Sequence, residues 1–309
     1  MSMVVAGSYN IVDAIFVGRL GSEALAALVV AFPLMMLFMG ISMGTGVGAA
    51  SLISRRLGAG DHEGANRVAG ITITLTILVG ALMTGICLPN LEALLRLLGA
   101  SGSVLSLAKG YMSILATFAV VNSFALIMGT IIRAEGNPIL SGTTMIISVV
   151  INIILDPILI FGWGPISAMG VAGAATATVI GRGVGGLIFL VYFISGRTSY
   201  RFRPGYFLPK LRILVEIYRV GMASIVRMTA GSLVMGLNNR IAASFGVIPL
   251  AVVGVVVRFA RFTFMPTMGL GQGMMPLVGY NLGLKKRSVS VKSSSRPGWP
   301  VSPGDCCAG

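Results

Sequence analysis

Val149-Val150-Ile151-Asn152-Ile153-Ile154-Leu155-Asp156-Pro157-Ile158-Leu159-Ile160-Phe161 places a carboxylate inside an apolar run long enough to belong to a membrane span. A charge near the bilayer centre costs roughly 2.5–3.5 kcal/mol even on lenient insertion scales, so an intramembrane Asp marks a functional site by default. Asn152 lies four residues before Asp156, which sets both on one helix face. Pro157 has no N–H, so the carbonyl of Ile153 loses its helical partner and can turn toward a cation or a water. Acid, amide and freed carbonyl together suit a hard cation or a proton. The competing reading is an Asp that caps a helix end or pairs with a lone Arg.

Outward from that stretch, composition sets the class. Of 309 residues 55% are hydrophobic, only 10% are charged and 42 are glycine, with a mean hydropathy of +0.92, which specifies an all-α polytopic membrane protein. The net charge of +14 would suggest nucleic acid in a soluble protein; here it reflects basic loops against an anionic leaflet, so the bilayer is the expected partner and nucleic acid is not. Three cysteines, Cys87 in a span and Cys306 and Cys307 in the tail, form neither a disulfide framework nor a metal spacing. Residues 1–18 are apolar but lack a basic lead-in and carry Asp13, so they do not read as a cleavable signal.

The apolar segments give about eight spans: one ending near Arg19, then Leu25 to Ile53, Val68 to Leu88, Leu105 to Ile131, Ile139 to Phe161, Val171 to Ile194, Leu214 to Phe245 and Leu250 to Leu282. Connections two, four, six and eight hold most of the cations, among them Arg55, Arg56, Arg67, Arg133, Arg197, Arg201, Arg203, Lys210, Lys285 and Arg287; the odd connections hold only Arg19, Arg96, Lys109 and Arg240. By the positive-inside rule the even connections and the N-terminus are cytoplasmic, in a multi-pass protein of the cell membrane.

That orientation sets depth. Counted from the outer span ends, Asp13, Asp156, Tyr111 and Thr178 all fall about 8–10 Å beneath the outer surface, at roughly 1.5 Å per residue. Of nine acidic residues only Asp13 and Asp156 lie well inside an apolar span. Two carboxylates at one level repel unless a cation or proton intervenes, which suits a Na⁺ or proton site shared between helices. For Tyr111 and Thr178 taken alone, an interfacial aromatic and a helix-packing hydroxyl are equally good readings.

A shift of 225 residues superposes Ser42-Met43-Gly44-Thr45-Gly46-Val47-Gly48 on Thr267-Met268-Gly269-Leu270-Gly271-Gln272-Gly273, Leu57-Gly58 on Leu282-Gly283, Leu25-Ala26 on Leu250-Ala251 and Gly21 on Gly246, without a gap. Six spans separate the copies, an even number, so both halves enter the membrane from the same side and the repeat is parallel. The alternate glycines are no phosphate loop, since no strand precedes them and no GK[ST] follows; small residues that let helices pack closely and bend explain them better. Under the repeat, span one should begin some ten residues before Met1 and the second half should run more than a hundred residues past Leu284. Residues 285–309 contain no span and read as a disordered tail, with a shifted reading frame or an annotation artefact as the expected origin.

Several motifs now coincide: Ile11-Val12-Asp13-Ala14-Ile15-Phe16-Val17-Gly18-Arg19-Leu20-Gly21, Ser54-Arg55-Arg56-Leu57-Gly58-Ala59-Gly60, Arg133-Ala134-Glu135-Gly136-Asn137-Pro138, Asn152-Ile153-Ile154-Leu155-Asp156-Pro157, Gly170-Val171-Ala172-Gly173-Ala174-Ala175-Thr176-Ala177-Thr178 and Pro276-Leu277-Val278-Gly279-Tyr280-Asn281-Leu282-Gly283. Over about residues 1–287 the chain resembles the prokaryotic branch of the multidrug and toxic compound extrusion (MATE) family. The resemblance implies two six-helix lobes around a central cavity, with cationic or amphipathic drugs exported in exchange for Na⁺ or H⁺. It implies a first lobe over 1–195 lacking the start of span one, a basic cytoplasmic inter-lobe loop over 196–213, the first two helices of an incomplete second lobe over 214–284, and a tail over 285–309 foreign to the family. It also implies that Asp13, Asn152 and Asp156 bind the coupling cation, as Na⁺ ligands if Na⁺ is used, with Tyr111 and Thr178 in their network and Thr176 as the alternative to Thr178.

The departures are instructive. The counterpart of Asp13 is Asn238, which cannot change charge, so coupling should reside in the first lobe. Arg227, Arg258 and Arg261 lie in apolar stretches, where a substrate contact competes with carbonyl pairing or snorkelling. The resulting expectation is an antiporter working as a monomer on a small organic substrate, with no cofactor beyond the ion. A flippase for lipid-linked saccharides and a non-transporting fragment are the alternatives. An enzyme is not expected, because His62 is the only histidine, sits in a loop, and has no nucleophile beside it.

Overall fold

The computed structural model describes residues 12–284 except 166 and 202, with the side chains of 258, 261–268, 272 and 283 left out. The reading of the tail as disordered therefore falls outside the described residues. Helices follow in the order α1 (12–18), α2 (Ser22–Gly58), α3 (His62–Leu97), α4 (Gly102–Thr117), α5 (Ala119–Ala134), α6 (Pro138–Phe161), α7 (Val171–Ile194), α8 (Leu211–Ser244) and α9 (Val247–Gly283), with a 3₁₀ turn at Pro204–Tyr206. Among the described residues five helices are long and apolar enough to cross a membrane, and the α4–α5 pair makes a sixth span. The described part of α1 and α9 occupy the places of expected spans one and eight.

Turn chemistry sets the helix ends. Asp61 caps α3 by accepting a hydrogen bond from the Gly64 amide at 2.8 Å, and Asn137 caps α6 by accepting one from Leu140 at 3.1 Å, with Pro138 in the first turn. Apolar residues left outward, such as Ile77, Leu82 and Ile86 on α3, form the surface a bilayer covers.

Span four departs from its expected form. Sequence predicts one helix from Leu105 to Ile131; the structure breaks it at Phe118, where α4 and α5 meet at 59°. In hydrocarbon the carbonyls freed by a break need donors. Asn122 Nδ2 donates to the Leu115 carbonyl at 3.4 Å and Thr84 Oγ1 on α3 donates to that of Ala116 at 2.7 Å. Gly80 lets α5 approach α3 so closely that a Cβ there would stand 2.5 Å from Val120 Cα.

The basic loop after α7 is docked, not slack. Glu135 accepts hydrogen bonds from the Tyr192 and Thr198 hydroxyls and from the Ser199 amide; the Tyr200 hydroxyl reaches the Ile131 carbonyl at 3.1 Å, and Thr74 Oγ1 reaches that of Phe207 at 2.8 Å. α8 opens at Leu211, three residues before the expected start of span seven at Leu214.

α2 carries the junction between the halves. On a helix, positions two apart point about 200° apart. Gly44 and Gly48 accordingly meet α8, at Gly221 and Ile225 and at Ile217, while Gly46 meets Thr130 and Ile127 of α5. The alternate glycines thus serve two faces, each in near-backbone contact with a different helix. Ser232 Oγ on α8 donates to the Pro33 carbonyl at 2.6 Å and Asn239 Nδ2 to that of Val29 at 2.8 Å. α2 and α9 touch at Val29 with Gly254 and at Ser54 with Gly279, pairs related by the 225-residue shift itself. Counterparts meet each other only along a two-fold axis, so the repeat is parallel about an axis running with the helices.

Candidate functional site

α6 sets out Ser141, Thr144, Ser148, Asn152 and Asp156 at helical spacing, and all five lie toward the interior rather than the lipid. α7 packs on that stripe through glycines. A Cβ at Gly173 would stand 2.5 Å from the Leu159 carbonyl oxygen, and one at Gly181 would stand 2.6 Å from that of Ser148 and 3.4 Å from Asn152 Cβ. This close seam brings Thr178 to the acid stripe: Asn152 Nδ2 donates to Asp156 Oδ1 at 3.3 Å and lies 3.5 Å from Thr178 Oγ1. Thr176 instead donates to the Ala172 carbonyl of its own helix at 2.9 Å.

α1 closes the third side. Phe16 meets Phe161 edge to face at 6.3 Å, and Val17, Ile160, Val171 and Ala174 share one core cluster, which fixes α1 against the ends of α6 and α7. Asp13, one turn before Phe16, is thereby close enough to Asp156 for the two carboxylates to repel. Relative exposure is 6% for Asp13, 3% for Asn152, 0% for Asp156, 3% for Thr178 and 3% for Tyr111, so all five sequence-predicted residues are cut off from solvent. Tyr111 donates one described hydrogen bond, to Met35 Sδ on α2 at 3.6 Å.

Asp156 Oδ2 and Asn152 Oδ1 are buried and accept no hydrogen bond from the described residues. Buried oxygens without donors are rare in native structures and call for a proton or a cation. Among the described residues no cluster of three His, Cys, Asp or Glu side chains exists, so the donor set is hard oxygen only. That chemistry suits H⁺ or an alkali cation and not a thiophilic metal.

Of the other residues singled out by sequence, Asn238 is exposed on α8 while its neighbour Asn239 is buried; Arg227 is exposed; the side chains of Arg258 and Arg261 lie outside the described set. Sequence reasoning passed over Arg182, in the middle of α7, whose Nη1 donates to Asn122 Oδ1 at 3.4 Å. Its signal was a lone cation between two glycines near the centre of an apolar span.

The MatE sequence profile matches residues 1–158 and 223–295. The multidrug export protein MepA of Staphylococcus saprophyticus is 32% identical over 278 residues, which cover 88% of this chain and 60% of the relative. A solved outward-facing conformation of a multidrug resistance MATE family transporter of the MOP superfamily aligns with a TM-score of 0.85 at 32% identity, over 94% of this chain and 64% of that one. A solved structure of the MATE multidrug transporter DinF-BH aligns with a TM-score of 0.86 at 35% identity, over 93% of this chain and 64% of that one. The chain therefore spans about three-fifths of the length of the curated relatives it matches. With the profile matching more than half of its residues, on helices that repeat about a two-fold axis, the chain belongs to the MATE family.

Proposed function

We propose that the chain forms the ion-coupling lobe and the first part of the substrate lobe of an exporter that exchanges Na⁺ or H⁺ for organic, often cationic, compounds across the cell membrane. MepA and DinF-BH, described as multidrug proteins, supply the substrate class. The observation that carries the coupling role is the pair of buried, donor-free oxygens on Asp156 and Asn152 beside a second carboxylate. With a cation or proton at Asp156, the repulsion between the acids is relieved and α1, α6 and α7 close on the site. On its release the two like charges favour a different arrangement of the same helices. A compound with unequal affinity for the two arrangements is then driven by the ion gradient. The basic connections face the cytoplasm in this reading, which puts the N-terminus there too. Catalysis has no part in it.

The test is efflux of a fluorescent cationic dye from vesicles under imposed Na⁺ or pH gradients, with this chain and with a version extended to twelve spans. In the extended version Asp156→Asn abolishes ion-dependent efflux and leaves membrane insertion intact. Efflux at the wild-type rate in that variant would refute the coupling site.

A further inference from the structure

α8 opens against the usual electrostatics of a helix. Lys210 is its N-cap residue and Arg212 stands in its first turn, which holds no acid, and no side chain caps it. A helix start carries positive partial charge, which attracts anions and repels cations. The bias of basic residues toward one side of a membrane accounts for the sign of these two but not for their convergence with others. Lys210 and Arg212 line one open cavity of about 390 Å³ with Arg56, near the end of α2, and Arg67, in the second turn of α3; among the described residues its only acids are Asp61 and Glu216.

Four cations against two carboxylates leave a surplus of two positive charges, and the pairs among them are loose. Arg56 is shared between Asp61 Oδ2 at 3.4 Å and Glu216 Oε2 at 3.6 Å, and Arg212 reaches Glu216 Oε1 at 3.6 Å. A well-made charge-assisted hydrogen bond spans about 2.7–2.9 Å, so these contacts bring the groups together without satisfying them. Lys210 forms no ion pair with any described residue. Arg67 is better placed than the others. Its guanidinium lies 5.5 Å from the ring centre of Tyr206, which is buried in the 3₁₀ turn docked on Gly70. The Nε–Nη2 edge, the one that grips oxyanions in pairs, holds only the exposed Glu63 at 3.5 Å, and Nε is buried with no hydrogen-bond partner among the described residues. A buried N–H without an acceptor is rare in native structures.

We propose that this cavity binds a doubly charged phosphate, either inorganic phosphate or a phosphate monoester, with Arg67 and Lys210 as its principal ligands and Arg56 turning from its loose pairs to join them. Arg56 and Arg67 precede the basic loop while Lys210 and Arg212 stand at its end, so the bound phosphate ties the ends of α2 and α3 to the start of α8. A soluble phosphate and the headgroup of phosphatidic acid both present this group, and the test separates them.

The whole chain in dodecyl maltoside is titrated calorimetrically, in phosphate-free buffer, with inorganic phosphate, with dioctanoyl phosphatidic acid and, as a diester control, with dioctanoyl phosphatidylcholine. Saturable binding of inorganic phosphate supports a soluble source, binding of phosphatidic acid alone supports a lipid source, and binding of both shows that the phosphate itself is what is recognised. Arg67→Gln weakens binding about tenfold and Lys210→Gln about threefold, whereas Glu216→Gln, which frees Arg56 and Arg212, tightens it about threefold. Damage to the fold would weaken binding in every variant, so the tightening is an effect that a merely structural role does not produce. Gel filtration and helical circular dichroism identify the variants that fold, and Lys210→Gln and Glu216→Gln carry the test if Arg67→Gln does not. Absence of saturable binding of both phosphate and phosphatidic acid to wild type, equal binding of phosphatidylcholine, or unchanged Kd values in the folded variants overturns the proposal. None of these results bears on Asp156→Asn, because the acid site lies toward the opposite ends of the membrane spans.

Discussion

At Gly48 a methyl group would overlap the backbone carbonyl of Ile217, whereas at Gly273, its partner in the repeat, a methyl group would meet nothing described. The same residue type in the same motif is therefore under steric demand in one copy and relieved of it in the other. Gly48→Ala is expected to destabilise the junction of α2 and α8 by about 1–3 kcal/mol, the usual cost of overpacking a tight contact. Gly273→Ala should be neutral or slightly stabilising, because alanine is the better helix former. Thermal unfolding of the two variants in detergent, followed by light scattering, checks this; equal losses would mean that Gly48 is not in contact. The site was legible at this scale where chemistry is linear in sequence. Asn152 and Asp156 stand one helical turn apart, and the cost of a carboxylate in hydrocarbon marks them without any fold. The choice between Thr178 and Thr176 was not legible, since it depends on the rotation of α7 about its axis. Arg182 escaped because sequence weighed acids as the carriers of coupling and sought cations in spans seven and eight.

Among the elements, the seam between α6 and α7 does most to build the site. Gly173, Gly181 and Gly185 share one face of α7, and their missing side chains let Thr178 reach Asn152. Gly181→Val should push the helices apart at Ser148, break the 3.5 Å approach of Asn152 to Thr178 and weaken ion binding with little effect on insertion. Isothermal titration with Na⁺ and with protons reads the loss, and an unchanged affinity would show that the seam can yield without disturbing the site. The elbow in span four is the opposite case for legibility. Ala116-Thr117-Phe118-Ala119-Val120 contains neither proline nor glycine, so no local signal announces a 59° bend. The bend survives because Thr84, on a different helix, and Asn122 satisfy the freed carbonyls, and such donors are visible only once the fold has brought them there.

For the whole molecule, the two-fold contact of α2 with α9 is where any rocking of one half on the other must be felt. Ser54 and Gly279 are counterparts under the repeat, and a Cβ at Gly279 would stand 3.0 Å from that of Ser54, within a small adjustment of disulfide geometry. The pair Ser54→Cys and Gly279→Cys, with Cys306 and Cys307 replaced by serine, should therefore cross-link within one chain on mild oxidation. Cleavage in the exposed part of the basic loop, at Arg201 or Arg203, followed by electrophoresis would then leave the halves joined until a reductant is added. Built into a twelve-span version, the cross-link should arrest efflux reversibly while leaving ion binding at Asp156 intact, because the acid site lies wholly among α1, α6 and α7 and does not span the junction. Transport that persists in the oxidised protein would mean that this axis is fixed and that the moving surface lies inside the first lobe, around the bent span.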